Sequence, residues 1–353
     1  MSYRIYYVGL DVHKAMTVMV VLNAQGKQVC RSVLETKAAI IINSIRGLIG
    51  EIHLTFEEGI HSAWLYDMLK PYVAELMVCN PREIKKTSGS NKSDDFDAFN
   101  LADSLRLNAL KPVYHGEHGL KLLKELARAY LNLVADCTRV KNRITAIFRS
   151  RAISYSGSEL YRPENRAYWC SQLEPDYQCR ANILFTQLDA LLPLREQTEK
   201  AMIKEAQKHP AFALIKSVPY LGDVRASIIL AVMMTPFRFR TKRQIWNYSG
   251  FAIVTSSSAD YEQVNGTIIK TRRHTFIRGL NQNFNRSLKM VFKSAALAAN
   301  NGVFKHYFDS LLAKGMKANM ARLTLARKIA AVTLTIWKKG ELFNPDKFLQ
   351  TTV

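Results

Sequence analysis

No apolar stretch in this chain approaches the length of a membrane span, and no CxxC pair or Cys/His cluster has the spacing of a zinc site. The five cysteines, at 30, 79, 137, 170 and 179, are odd in number and widely scattered. That pattern argues against a disulfide framework and for a reduced, cytoplasmic chain. The opening MSYRIYYVGLDVHK puts charged residues where a signal peptide needs an unbroken apolar segment, so export is not expected. Repeats and low-complexity tracts are lacking too. Acidic residues are scarce: 29 Asp+Glu face 50 Lys+Arg, a formal net charge of +21. Solubility does not call for such an excess, and it points to a polyanionic partner. Nucleic acid is the commonest, because neutralising its phosphates releases condensed counterions. With 48% hydrophobic residues the chain is globular rather than a basic tail.

What is present, 353 residues, is enough for two or three domains. From Ile5 to about Cys30 two β-rich runs, broken at His13-Lys14 and at the turn-like Asn23-Ala24-Gln25-Gly26, read as a hairpin opening a sheet. A helix over 37–49, a strand EIHLTFEE, a helix near 62–70 and a strand AELMVCN follow, and the alternation predicts an α/β domain over 1–112. Apolar residues at 123, 126, 130, 133, 137, 140, 144 and 147 form a heptad seam, which predicts a long helix packing as a coiled coil within this chain or with another copy. A second helical stretch over 180–208, kinked or broken at Pro193, returns against it, giving a helical linker domain over 113–210. From Ala211, ALIKSVPYLGDVRASIILAVM reads equally as a phosphate-binding helix-hairpin-helix or an ordinary helical hairpin. A final helix near 318–339 is stopped by Gly340, and 211–353 is expected to be α-helical.

Three acidic sites stand out. Asp11 ends the first strand, where many folds place a turn residue. Glu57 and Glu58 close the strand EIHLTFEE; two acids there are hard to explain by packing, and only one can share the face of Asp11. Asp94 and Asp97, three apart, share one face at a helix start, where acids also serve simply as caps. Together they form an oxygen-rich set on an α/β domain in a strongly basic chain, which suits Mg²⁺ and phosphodiester chemistry.

The segments YVGLDVHK, FEEGIHSAWLYDMLKP, VCNPREIKK and GSNKSDDFDAFNLADSLR resemble the RuvC-like, ribonuclease-H-like domain of the DEDD insertion-sequence recombinases, the Piv-like transposases. SVPYLGDVRASIILA, FRTKRQIWNYSGFA and the run Ser256-Ser257-Ser258 resemble that family's C-terminal transposase domain. The resemblance implies a Mg²⁺-binding tetrad of Asp11, Glu58, Asp94 and Asp97. Glu58 is preferred to Glu57 because the family's acid precedes a small residue, here Gly59. It also implies a serine that attacks DNA to form a phosphoserine. Ser258, followed by the small Ala259, is preferred, with Ser257 next. A hydroxyl needs a base or metal to activate it and cations to stabilise the transferring phosphoryl group. Arg139, Arg143, Lys242, Arg243, Lys270, Arg272, Arg273, His274, Arg278 and Arg286 are the candidate nucleic-acid contacts, set against the alternative of a solvated basic surface. As partners the resemblance implies donor and target DNA, a structured bridge RNA encoded by the mobile element, and a homo-oligomer in which the serine of one subunit completes the carboxylate site of another. The setting it implies is the nucleoid of a prokaryotic cytoplasm. The rival reading is a metal-dependent junction resolvase or nuclease in which water attacks.

Overall fold

The computed structural model describes residues 4–80, 94–115, 119–256, 261–264, 267–270 and 276–350. They fall into two compact units, Met1–Glu117 and His118–Val353.

In the first unit the alternating sequence forms β1 (Ile5–Val12), β2 (Met16–Asn23) and β3 (Gln28–Glu35) as an antiparallel meander. The segment read as one hairpin is thus a three-stranded turn-and-return, with Asn23 accepting at its side chain from the N–H groups of Gln25 and Lys27. After α1 (Ala38–Arg46), β4 (Glu51–Glu57) pairs in parallel with β1. After α2 (Ser62–Leu69), β5 (Glu75–Cys79) pairs in parallel with β4. The mixed sheet has the order β3-β2-β1-β4-β5, and α3 (Asp94–Arg106) follows. This mixed α/β architecture is compatible with the expected ribonuclease-H-like domain.

β2 is buried on both faces and reads as a near-continuous apolar run, whereas β4 alternates, with Ile52, Leu54 and Phe56 on one face. Val8, Leu10, Leu54 and Phe56 pack on Ile41 and Ile45 of α1 and Leu65 and Leu69 of α2. Each such side chain is worth about 1.5–3 kcal/mol of burial. On the other face Val18, Val20 and Leu22 of β2 meet Ala98 and Ala102 of α3. Gly9 allows that approach: a Cβ there would lie 2.1 Å from the Ala98 carbonyl oxygen and 2.7 Å from the Ala102 nitrogen. The helix therefore rides directly on the strand that carries Asp11.

In the second unit α4 (Lys121–Ser150) and α6 (Pro175–Ala206) pack antiparallel, joined through the short α5 (Arg166–Ser171). Ile144, Ile147 and Phe148 meet Ala181, Leu184 and Phe185 at one end, while Leu123 and Ala127 share a core with Met202 and Ala206 at the other. The heptad seam is thus largely used within the chain. No break occurs at Pro193, and α6 is continuous through it.

The remaining helices are α7 (Pro210–Lys216), α8 (Asp223–Met233), α9 (Lys242–Tyr248), α10 (Arg286–Ala298), α11 (Gly302–Ala313), α12 (Ala318–Lys339) and α13 (Pro345–Gln350). α12 packs on α10, α9, α11 and α7, and its Leu325, Ile329 and Ala330 are buried in the core of this unit. It ends where expected, on Gly340 in the left-handed conformation, φ +67°. The region is not purely helical. β6 (Ile253–Ser256) pairs with β9 (Phe276–Leu280), and β7 (Tyr261–Val264) with β8 (Thr267–Lys270), both antiparallel. Within 211–353, expected to be α-helical, the stretch between Ile253 and Leu280 is therefore partly strand. None of the described helices is long and apolar enough to cross a membrane.

Candidate active site

Asp11 is two residues beyond Gly9 on β1, and successive strand residues alternate, so it shares the face on which α3 lies. Its side chain is only 20% exposed. α3 begins at Asp94, so Asp94 and Asp97, one turn apart, come to that same edge. Arg31 of β3 donates to the Asp95 carboxylate at 2.7 Å and helps fix the start of the helix. His13, just past β1, places Nε2 3.2 Å from Asp11 Oδ2 and 3.5 Å from Asp94 Oδ2. The ligand atoms of Asp11, His13 and Asp94 all lie within 4.8 Å of one another.

Electrostatics match this crowding. Burial pushes the Asp11 carboxyl above its ordinary value; His13 opposes the shift, and the charges of Asp94 and Asp97 add to it. Carboxylates gathered against their own repulsion in a half-buried recess form a donor set that fits a hard divalent cation.

The two glutamates part company at the end of β4. Leu10 pairs with Phe56, and both belong to the core under α1 and α2. The next residues, Asp11 and Glu57, therefore point to the opposite, α3 face. Glu57 also pairs with Cys79, which is buried among Leu101 and Leu105 of α3. Burial, with a further contribution from the Glu57 charge, pushes that thiol up to about 11. Glu58 goes elsewhere. Its backbone N–H donates to Cys79 O at 2.8 Å, and its carboxylate meets His115 Nε2 at 2.7 Å. The His115 ring stacks on Tyr66, with centroids 5.0 Å apart, on the α2 side of the sheet. The structure thus groups Asp11, Asp94 and Asp97 on one face, aligns Glu57 with them, and engages Glu58 with His115.

Ser257 and Ser258 lie outside the described residues, as do Arg272, Arg273 and His274. Ser256 ends β6, Lys270 ends β8 and Arg278 falls on β9. Arg286 opens α10 and is exposed. Arg139 and Arg143 are exposed on α4, and Arg139 is paired with Asp136 one turn away. Lys242 and Arg243 are exposed at the start of α9.

Sequence reasoning singles out neither His13 nor His115. The first has a readable signal: Asp11-x-His13 at a strand end puts both side chains on one edge. The second lies 57 residues from its partner, and only the fold brings them together.

Residues 8–151 match the transposase family DEDD_Tnp_IS110, and residues 212–309 match the transposase family IS116/IS110/IS902. Over 231 residues the chain is 23% identical to the transposase for insertion sequence element IS1533 of Leptospira borgpetersenii. That alignment takes in 63% of this chain and 64% of the relative, so just under two thirds of the relative's length is spanned.

Proposed function

Because the chain belongs to the IS110 family of DEDD transposases, we propose that it cuts and rejoins DNA at the ends of a mobile element. The observation that carries this reading is the convergence of Asp11, Asp94 and Asp97 at one edge of the sheet, in a chain of net charge +21. We take the tetrad to be Asp11, Glu57, Asp94 and Asp97. Glu57 replaces Glu58 because strand alternation puts it on the face of Asp11, whereas Glu58 is engaged by His115.

These residues would hold Mg²⁺, which when bound supplies Lewis-acid stabilisation of the transferring phosphoryl group. The protein's own part is to fix the carboxylates on rigid elements, β1, β4 and α3, so that the site needs little reorganisation. His13 donates a hydrogen bond to Asp11 and orients it. The nucleophile is Ser258, with Ser257 the neighbouring choice. Its Oγ attacks phosphorus and loses its proton, the P–O bond to the leaving deoxyribose oxygen breaks, and that oxygen takes up a proton. Arg278, Arg286 and the basic residues between Lys270 and His274 would neutralise the DNA backbone, and Arg139 and Arg143 would extend the track along α4.

In this reading 1–112 is the catalytic domain, 113–210 a helical spacer and 211–353 the domain bearing the serine. A bridge RNA would supply sequence choice, since cationic side chains read backbone rather than bases. A homo-oligomer follows from the need to cut several strands together. The seam of α4 lends it little support, because most of that seam is used inside the chain.

The test incubates the full chain with donor DNA, the element's flanking RNA and Mg²⁺, and maps covalent peptides. A DNA–peptide adduct at Ser257 or Ser258, lost in Asp11→Asn with DNA binding retained, is the expected result. Undiminished cutting after Ser257→Ala and Ser258→Ala together would mean that water is the nucleophile.

A further inference from the structure

A cleft of about 1080 Å³ opens in the second unit, with α12 as its floor and α9 and α13 among its walls. Among the described residues, six cationic ones line it: Lys242, Arg243, Arg327, Lys328, Lys339 and Lys347. The single carboxylate among these lining residues is Glu341, which is ion-paired with Lys347 at 3.1 Å and also feels the charge of Lys339. The cleft therefore carries a large surplus of positive charge in a confined space.

Its cations are held at a cost. Burial, with the nearby charge of Lys242, keeps the Lys328 ammonium below its ordinary pKa. Burial does the same to Arg327. The Arg327 guanidinium donates through Nε to Phe251 O at 2.8 Å, but its buried Nη2 has no hydrogen-bond partner among the described residues. Lys242, Arg243 and Lys328, crowded around one opening with Lys242 acting against the charge on Lys328, gain from an anion that neutralises them. Half-buried aromatic rings stand among the cations: Lys242 lies 5.7 Å from the Trp246 ring centroid, and Lys328 lies 5.8 Å from that of Tyr307.

We propose that this cleft binds a single-stranded segment of nucleic acid, its phosphates on Lys328, Lys242 and Arg243 and its bases against Trp246 and Tyr307. Charge alone would suit a duplex, but the bases of a duplex are stacked on one another and their faces are hidden. An aromatic, cation-lined cleft matches an unpaired strand, whose base faces are free. The proposal extends the transposase reading to a strand-holding site distinct from the carboxylates.

The test measures binding of fluorescent deoxythymidine and uridine decamers to the full-length protein across a salt series. The cleft variant is Lys242→Gln with Lys328→Gln. The control is Lys204→Gln with Lys314→Gln, which removes the same formal charge from exposed positions outside the cleft. The cleft variant should bind at least about tenfold more weakly. Its slope of log affinity against log salt should fall by about 0.7 for each phosphate that is no longer neutralised. The control should change little. A stronger response to one decamer identifies the strand as DNA or RNA. Equal weakening in the cleft and control variants, wild-type binding by the cleft variant, or no binding of either decamer by the natural protein would each overturn the proposal. Asp11→Asn should leave this binding intact, so failure here and failure of the catalytic reading are separable.

Discussion

Glu57 and Cys79 are register partners at the carboxyl ends of β4 and β5, on the face of the sheet that α3 covers. That relationship decides which of two adjacent glutamates belongs with Asp11. Glu57→Gln should lower DNA cleavage by about 10²–10³-fold or more, the scale expected when a group acting on transition-state charge is removed. Glu58→Gln should leave cleavage within several-fold of the natural protein and cost at most about 1 kcal/mol of stability through its half-exposed pairing with His115. Cleavage rates and thermal midpoints of the two variants would check this; the reverse ranking would reinstate Glu58.

Asp11 ionises at a higher pH in the folded protein than in the unfolded chain, because burial and the charges of Asp94 and Asp97 outweigh His13. The folded state then holds the proton more tightly, and stability falls as pH rises through the raised value. Near neutral pH the ionised carboxylate is a net burden on the metal-free fold. Asp11→Asn in chelator at pH 7 should therefore raise the melting temperature while abolishing cleavage. Added Mg²⁺ should stabilise the natural protein by about 2.7 kcal/mol at a hundredfold excess over its dissociation constant, and the variant far less. A variant that melts lower in chelator would contradict the account.

The thiols should report burial directly. Cys179 is exposed, whereas Cys79, Cys137 and Cys170 are buried, and Cys79 is pushed up to about 11. At pH 8.5 under about 1% of Cys79 is thiolate. Brief alkylation of the native protein should modify Cys179 and spare Cys79, and unfolding should expose all five cysteines. Mass spectrometry of the labelled peptides reads the pattern, and equal rates at 79 and 179 would refute it.

Between α5 and α6, Arg166 clamps Asp189 with Nη1 at 2.5 Å from Oδ2 and Nη2 at 2.7 Å from Oδ1, and lies over the Phe185 ring. This hydrogen bonding holds the Asp189 carboxyl below its ordinary value of 3.8. Its contribution to stability is full above 3.8 and disappears as pH falls through the lower, folded-state value. Arg166→Ala should cost about 2 kcal/mol at pH 7, since the arginine is largely buried and also donates to Tyr161 O. It should also flatten that acid-side decline. Denaturant titrations at pH 7 and pH 3 measure both effects.

The α/β order of the first unit and the long helix from residue 121 are legible in the sequence because hydrophobic periodicity over many residues is a strong local signal. So is the stop at Gly340. Asp11, Asp94 and Asp97 can be grouped by order and resemblance. Choosing Glu57 cannot be done locally, since it depends on the β4 register and on which face α3 takes, both long-range facts. The strands between 253 and 280 escape a sequence reading because they are four or five residues long and interrupted by basic residues. One signal is available: β7 and β8 flank Asn265-Gly266, the dipeptide most typical of a tight hairpin. Pro193 misleads in the other direction. A proline removes one helical hydrogen bond, and in a 32-residue helix packed against another the remaining bonds and side-chain packing outweigh it.

The bare α-carbon of Gly9 acts as a gauge. Asp11 sits two residues along the same strand and Asp94 one turn back along the same helix, so the spacing between their carboxylates is machined by the absence of a methyl group. A single added carbon would work as a shim, lifting α3 off β1 and widening the opening between the acids. It would need to touch no charged residue to do so.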